Sequence, residues 1–217
     1  MYADNDEFLV LPDLVKNIDQ IIYYLDQHKF DTVQFHLLEM FSDQPFYNLK
    51  DETTWSFQEF ENCYRFFDIS TLEKRKSNMS SHEVLYGGVR RKHFHVDPFL
   101  TKYTFFKKIG PTNFKNSHQI LKTAFTPTRK VSDFNLFVKH FKFNSRYYPN
   151  LVRAVRENSY HNFSVQLRSA LVKLNQDGNY NLMSETALKY NNCEQIRKKQ
   201  FVNYSERFQK FIRNYNN

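Results

Sequence analysis

The sequence predicts a mainly helical α+β fold, made of two similar units in tandem and a C-terminal helix. Three observations predict it. They are an internal repeat, apolar residues at helical spacing early in each repeat, and a β-forming stretch around a glycine-containing turn late in each repeat. The 217 residues are enough for two units of roughly 100 residues each.

The internal repeat has an offset of 99 residues. At that offset NIDQII (17–22) matches NSHQIL (116–121), and VQFHLL (33–38) matches SDFNLF (132–137). Slightly out of phase, PFYNL (45–49) matches YYPNL (147–151). Matches in the same order along the chain predict a duplicated structural unit.

The first two helices of each unit are predicted from apolar spacing. The residues for the first helix are Ile18, Ile21, Ile22 and Leu25 in unit one, and Ile120, Leu121 and Ala124 in unit two. The second helix is expected to begin at the N-cap pairs Asp31–Thr32 and Ser132–Asp133. Its apolar face would hold Phe35, Leu38, Met40 and Phe41 in unit one, and Phe134, Phe137, Val138 and Phe141 in unit two.

A third helix and a hairpin complete each predicted unit. The third helix is expected over 55–67 and over 149–163, with Pro149 at the first helical position. The stretches 82–96 and 171–183 place β-forming residues on both sides of Gly87–Gly88 and Asp177–Gly178, which suit a hairpin turn. Three short helices closed by a hairpin make a winged helix, a variant of the helix-turn-helix.

These boundaries divide the chain into four parts. Residues 1–108 form the first unit, 109–113 the linker, 114–183 the second unit, and 184–217 a basic C-terminal tail. Within the tail, residues 194–214 predict an amphipathic helix with an apolar stripe and a basic face. This helix would pack on unit two, or contact a nucleic-acid backbone, or serve in nuclear import.

Composition excludes several classes of site. With only 4 Gly, the chain lacks the glycine-rich loops that bind phosphates and the strained turn that carries a hydrolase serine. Cys63 and Cys193 are too few for a zinc finger and fit a reducing compartment. We therefore expect no enzyme, no cofactor and no metal, and the absence of long apolar runs predicts neither a membrane span nor a signal peptide.

Charge is distributed unevenly along the chain. Residues 1–60 hold 12 acidic and 3 basic residues, whereas the remainder holds 11 acidic and 28 basic residues. This asymmetry favours a polyanionic partner for the later part of the chain. The alternative is a basic surface that only confers solubility.

Two groups of residues in unit two form a recognisable signature, first Asn158, Ser159, His161, Asn162 and Ser164, and then Val172, Lys173, Gly178, Asn179 and Tyr180. With this signature the second unit resembles the forkhead winged-helix family over residues 114–183. Unit one, over 14–108, is similar to a more divergent forkhead or Ets winged helix. The resemblance implies a recognition helix in the major groove of double-stranded DNA and a wing beside it.

The residues expected to contact DNA fall into two groups. Within the recognition stretch, an Asn amide can pair with adenine and a His three residues later would share its helix face. The recognition group comprises Asn158, Ser159, His161, Asn162 and Ser164, with Arg146, Arg153, Arg156, Arg168 and Lys173 for phosphates. On spacing alone, Asn158 could instead be a helix cap and His161 a solvated residue.

The second group is Arg90, Arg91 and Lys92, on the expected wing of unit one. If 90–96 were a strand, alternate basic side chains would reach phosphates. The spacing of His93, His95 and Asp97 also allows a metal site, but two ligands two residues apart are a weak signal, and none is predicted.

The sequence as a whole predicts a nuclear, sequence-specific DNA-binding protein that regulates transcription. Unit two would read the DNA, and unit one would contact a protein or pack on unit two. The alternative is a winged-helix protein-interaction module in a larger nuclear complex, because a fold alone does not determine function.

Overall fold

The computed structural model describes residues 4–76, 83–107, 114–116, 119–120, 130–158 and 164–216. The strands are β1 (Glu7–Val10), β2 (Thr32–Phe41), β3 (Phe66–Phe67), β4 (Glu73–Lys76), β5 (Glu83–Tyr86), β6 (Thr101–Phe106), β7 (Phe114–Asn116), β8 (Gln119–Ile120), β9 (Val131–His140) and β10 (Leu188–Lys189). The helices are α1 (Ile18–Gln27), α2 (Phe57–Cys63), α3 (Val89–Phe94), α4 (Tyr147–Glu157), α5 (Ser164–Gln176), α6 (Cys193–Lys198) and α7 (Glu206–Asn216), with a 3-10 turn at Phe46–Asn48.

A mixed sheet lies at the centre of the molecule. Its order is β1-β9-β2-β3-β10, and β6 also pairs with β2. β2 and β9 run parallel to each other, whereas β1, β3 and β6 pair antiparallel with their neighbours. The predicted α+β class is confirmed, but the tandem winged-helix arrangement is not. The parallel pair joins a strand of each predicted unit in one sheet.

The second helix predicted for each unit is wrong, because residues 32–41 and 131–140 are the strands β2 and β9. All ten residues of β2 are buried. A strand covered on both faces is apolar almost throughout and has no alternation to separate it from a buried helix. Asp133, expected as an N-cap, instead accepts hydrogen bonds from Tyr24 and Ser205.

One hydrophobic core packs α1 and α7 against the sheet. Asn17 caps α1 through its side chain, as the spacing of Ile18 and Ile21 predicts a helix there. The rings of Phe134 and Phe208 stack with centroids 4.0 Å apart, and Tyr24 lies edge-on to both. Ring contacts of this kind fix α7 firmly on β9.

A second core packs α3, α4 and α5 beyond the ends of β2 and β9. Phe94 of α3, Tyr147 and Leu151 of α4, and Leu174 of α5 are all buried in it. Phe143, just after β9, lies edge-on to Tyr147 with centroids 5.0 Å apart. This core holds the three helices that carry most of the predicted DNA contacts.

Neither predicted hairpin forms. Gly87 and Gly88 do have positive φ, at 97° and 71°, but Gly88 starts helix α3, and β5 pairs with β4 before it. In the second stretch, residues 171–176 continue α5, and Asp177 begins a turn. Val89 is fully buried in α3, so its conformation follows the tertiary packing rather than its strand propensity.

The remaining helix predictions are partly right. Residues 57–63 are helical within the predicted 55–67, and α4 starts at Tyr147, so that Pro149 is its third residue. Ile120 lies in β8 rather than in a helix, while Leu121 and Ala124 lie outside the described residues. The expected C-terminal helix is two helices, α6 and α7, separated near Gln200 at φ 57°. Within the described ranges, none of the helices has the length and apolarity to cross a bilayer.

Candidate nucleic-acid interface

The predicted contacts of unit two lie mainly on the consecutive helices α4 and α5. α4 buries Tyr147, Leu151 and Ala154, which recur at helical spacing, and α5 buries Ala170 and Leu174. The apolar stripes face the second core, so the polar residues between them face solvent. We call the solvent-facing side of this helix pair, together with Arg146, the α4–α5 surface.

Four arginines of the α4–α5 surface are exposed: Arg146, Arg153, Arg156 and Arg168. Among the described residues, the ion pair that they make is between Arg156 and Glu157, at 3.7 Å, with the Arg156 side chain 76% exposed. An exposed pair at that distance contributes little. No Asp or Glu occurs in the stretches outside the described ranges. The arginines are therefore available to an external anion.

Asn158 does not lie within a helix, so its expected place on a recognition helix is wrong. It ends α4 in the left-handed conformation at φ 47°, where its backbone N–H donates to the Ala154 carbonyl. Asn tolerates this conformation better than most residues, which gives it a capping role at the C-terminal end of the helix. Ser159, His161 and Asn162 lie outside the described residues, and Ser164 is the first residue of α5.

Lys173 is tied to α3 rather than pointing freely outward. Its ammonium donates to the carbonyl oxygen of His93 at 2.6 Å and lies 5.3 Å from the Tyr180 ring centroid. The ammonium therefore has an internal acceptor and an aromatic face as partners. This contact joins α5 to α3, so the basic residues predicted on the recognition stretch and those predicted on the wing lie next to each other.

Arg90, Arg91 and Lys92 are held by acidic residues of the protein. Arg90 Nε donates to Glu39 Oε1 at 2.5 Å, and its backbone N–H donates to the other carboxylate oxygen at 3.3 Å. Lys92 Nζ lies 2.9 Å from Asp68 Oδ2. Arg91 contacts both Asp97 and Glu73. These three residues were expected to contact DNA from a β-strand wing. Residues 89–94 instead form a helix, and its basic side chains are paired with acidic residues of the protein, so the geometry does not favour that role.

These pairs shift the pKa values of the acids involved. Burial alone would raise the pKa of Asp68, but hydrogen bonds from Ser70 and Lys92 hold it well below its usual range. Arg75 and Arg91 lower the pKa of Glu73 to about 2. Both carboxylates are therefore ionised at neutral pH and compete with any external anion for these cations.

The possible metal ligands His93, His95 and Asp97 are not brought together. His93 is buried, and its Nδ1 lies 2.9 Å from the Tyr180 hydroxyl. His95 is exposed and ends α3 at φ 56°, and Asp97 is bound by Arg75 at 2.8 Å. On a helix, side chains two residues apart point in different directions, so the strand-based spacing does not hold.

Sequence reasoning missed a group of buried charges on the sheet. Glu7, Glu39, Lys102 and His140 are all buried. The available signal was the polar residues Glu39 and His140 inside otherwise apolar strands. An ionisable side chain inside a buried strand needs a partner, so these residues could have been identified as candidates for a functional cluster.

No protein-family model matches the chain, and no curated protein or solved structure is significantly similar to it.

Proposed function

We propose that the chain binds double-stranded DNA through the α4–α5 surface. The observation that carries the proposal is the group of exposed arginines Arg146, Arg153, Arg156 and Arg168, on or next to two consecutive helices. Among the described residues, their one ion pair is the exposed contact of Arg156 with Glu157. Guanidinium groups fit phosphate oxygens with two parallel hydrogen bonds, which makes arginine well suited to this contact.

The arrangement of α4 and α5 supports a duplex rather than a small anion as the ligand. The two helices span 11 and 13 residues, so the four arginines are spread along an extended surface. Contacts to several successive phosphates require such a spread, whereas a single phosphate needs convergent donors. The forkhead-like assignment of 114–183, with sequence-specific readout and regulation of transcription in the nucleus, extends this proposal. The consecutive helices α4 and α5, with the stretch between them that begins at Asn158, support this extension.

A salt titration tests the proposal. Four phosphate contacts on a duplex predict that log K falls with log salt concentration with a slope of about −3.6. We expect Arg153→Gln with Arg168→Gln to weaken binding of a random-sequence 20-base-pair duplex by about tenfold and to reduce the slope by about 1.8. Fluorescence anisotropy on the full chain measures both quantities.

The matched control removes the same charge elsewhere. Lys210 and Arg213 are exposed on α7, which packs in the first core. Lys210→Gln with Arg213→Gln should leave the affinity within about twofold if the α4–α5 surface binds the duplex. Equal losses in both double variants would show that the net charge matters and the surface does not, which would contradict the proposal.

A second candidate function is protein binding through α1 and α7. Tyr23 and Tyr215 are about half exposed and lie with ring centroids 5.7 Å apart, with Phe211 beside both. Exposed aromatic groups of this kind are enriched in protein interfaces. This candidate assigns the protein contact expected of the first unit to α1 together with α7 of the C-terminal part.

A further inference from the structure

Three ionisable side chains lie in a row on one face of the sheet. Glu7 on β1 is the register partner of His140 on β9, and Glu39 on β2 is the register partner of His140 on its other side. Register partners on adjacent strands project to the same face. Burying three such groups together costs free energy unless each finds a compensating partner.

Glu39 has such a partner in Arg90, as described above, and Glu7 has one in Lys102, so His140 is the less complete member of the row. The ligand atoms of Asp6, Glu7 and His140 all lie within 4.8 Å of one another. His140 is 7% exposed, and its Nδ1 has no hydrogen-bond partner among the described residues. Nε2 is the ring nitrogen that faces Asp6, so Nε2 is the candidate ligand atom and the unpaired Nδ1 lies on the far side of the ring.

The distance between Asp6 and His140 has the length expected of two ligands on one ion. His140 Nε2 lies 3.4 Å from Asp6 Oδ2, which is longer than a charge-assisted hydrogen bond. Two atoms that each bind one metal at about 2.1 Å are separated by about 3.0–3.5 Å in octahedral or tetrahedral geometry.

The local charge balance favours a cation. Asp4, Asp6 and Glu7 supply three carboxylates, and Lys102 is the cation that contacts two of them, at 2.6 Å from Asp4 and closer to Glu7. Asp4, Asp6, Glu7 and Lys102 together carry a formal net charge of −2.

We propose that Asp6, Glu7 and His140 bind a divalent transition-metal ion. The imidazole nitrogen favours Zn²⁺ and its neighbours over Mg²⁺ and Ca²⁺, which prefer oxygen ligands alone. The Asp6 side chain is 34% exposed, so the site is open to solvent on that side and water can supply the remaining ligands. The ion would also fasten β1 to β9, since Asp6 and Glu7 precede or begin the first strand.

The rival arrangement is a simple ion pair between Asp6 and protonated His140. An ion pair needs no metal and predicts no saturable binding. The two arrangements are therefore distinguished by metal titration of the chelator-treated full chain.

Zn²⁺ titration by calorimetry should give one site per chain, and Co²⁺ should give a visible absorption band from coordination by protein ligands. We expect Asp6→Asn and His140→Gln each to weaken Zn²⁺ binding by at least about 100-fold. His95→Gln, which removes an exposed histidine outside the cluster, should leave it unchanged. Circular dichroism on each variant verifies folding, and Asp6→Asn is the safer change because Asp6 is only half-buried.

Each other outcome overturns the proposal. If the wild-type chain shows no saturable 1:1 binding below about 1 mM Zn²⁺, Asp6 and His140 form an ion pair only. If a folded Asp6→Asn variant binds as the wild type does, or if His95→Gln weakens binding equally, the ion binds elsewhere on the chain.

Discussion

The molecule contains two basic regions, and they differ in how their charged side chains are partnered. Arg90–Lys92 form the more concentrated run, yet each of the three is held by a carboxylate of the protein. The arginines of the α4–α5 surface are scattered over 23 positions, from Arg146 to Arg168, and remain exposed. The density of basic residues along a chain therefore does not measure how many can bind an external anion.

The difference arises from where each region lies relative to acidic residues. Helix α3 is wedged between the end of β2 and α5, so its basic side chains meet Glu39 and Asp68, which are buried. A buried carboxylate requires a partner, and these cations supply it. On the α4–α5 surface the nearby acid is the exposed Glu157, which pairs with Arg156 at 3.7 Å, and Arg146, Arg153 and Arg168 make no ion pair with any residue that the structure describes.

The largest effect that would sharpen this comparison is the loss of Arg90. The Glu39 side chain is 2% exposed, so Arg90→Met leaves a buried charge without its partner. We expect a loss of about 3–5 kcal/mol in the free energy of unfolding, measured by urea denaturation. DNA affinity of the folded protein should change by less than about twofold.

A double variant separates the ion pair from the space that it fills. Arg90→Met combined with Glu39→Met should recover most of the lost stability, because replacing both charges by apolar groups removes the unpaired carboxylate. Arg153→Met is the control from the other region and should leave stability within about 0.5 kcal/mol. If Arg90→Met retained full stability and lost DNA affinity, Arg90 would contact DNA rather than stabilise the fold, and the comparison between the two regions would be wrong.

A smaller effect concerns His93, which lies where the two regions meet. Burial, followed by the charges of Lys173 and Lys92, lowers the pKa of His93 to about 4, while Asp68 opposes that shift. The folded pKa lies below the unfolded value of about 6.5, so neutral His93 contributes stability that is fully present above pH 6.5. This contribution is lost as the pH falls from about 6.5 towards 4.

Between pH 6.5 and pH 4 we expect the free energy of unfolding to fall by an amount on the order of 2 kcal/mol. Above pH 4.5 most carboxylates are still ionised, so they contribute little to this fall. His93→Gln should flatten the profile between pH 6.5 and 4.5, although it is less stable at pH 7. The measurement is urea unfolding at several pH values. A wild-type profile that is already flat in this window would mean that His93 has an ordinary pKa in the folded protein.

Local signals in the sequence predicted part of the fold correctly. The apolar spacing after Asn17 gives α1, and Gly87–Gly88 adopts the positive φ that the pair suggested. The repeated segments 33–38 and 132–137 are elements of the same kind, neighbouring parallel strands, although they were predicted as helices. Their type depends on burial of both faces, which is set by contacts distant in sequence.

In the candidate sites too, some features follow from local sequence and others depend on contacts between distant residues. Exposure of Arg153, Arg156 and Arg168 follows from local helical spacing, so it could be predicted. The pairing of Arg90 with Glu39 spans 51 positions, and the cluster of Asp6 and Glu7 with His140 spans more than 130. Such pairings result from strand order and register, which no local pattern in the sequence specifies.

The smallest effect concerns Asn158, at the junction of α4 with the stretch before α5. If Asn158 serves only as a cap in the left-handed conformation, the stability of variants at this position should follow how readily each residue adopts positive φ. Asn158→Ala would then lose about 1 kcal/mol of unfolding free energy, because Ala is strained at φ 47°, whereas Asn158→Gly would equal or exceed the wild type. Thermal and urea unfolding measure this order.

The same two variants test base reading, because Gly and Ala both remove the amide but only Ala strains the backbone. If Asn158 pairs with adenine, both variants should lose about 1–3 kcal/mol of discrimination between a selected site and random duplex. If it is only a cap, the affinity ratio stays constant in all three proteins while stability follows the order Gly, Asn, Ala. An equal loss of discrimination in a stable Gly variant and a strained Ala variant can come only from the missing amide. That result would make the end of α4 part of the DNA-contacting surface, adding base contacts to the phosphate contacts of the arginines.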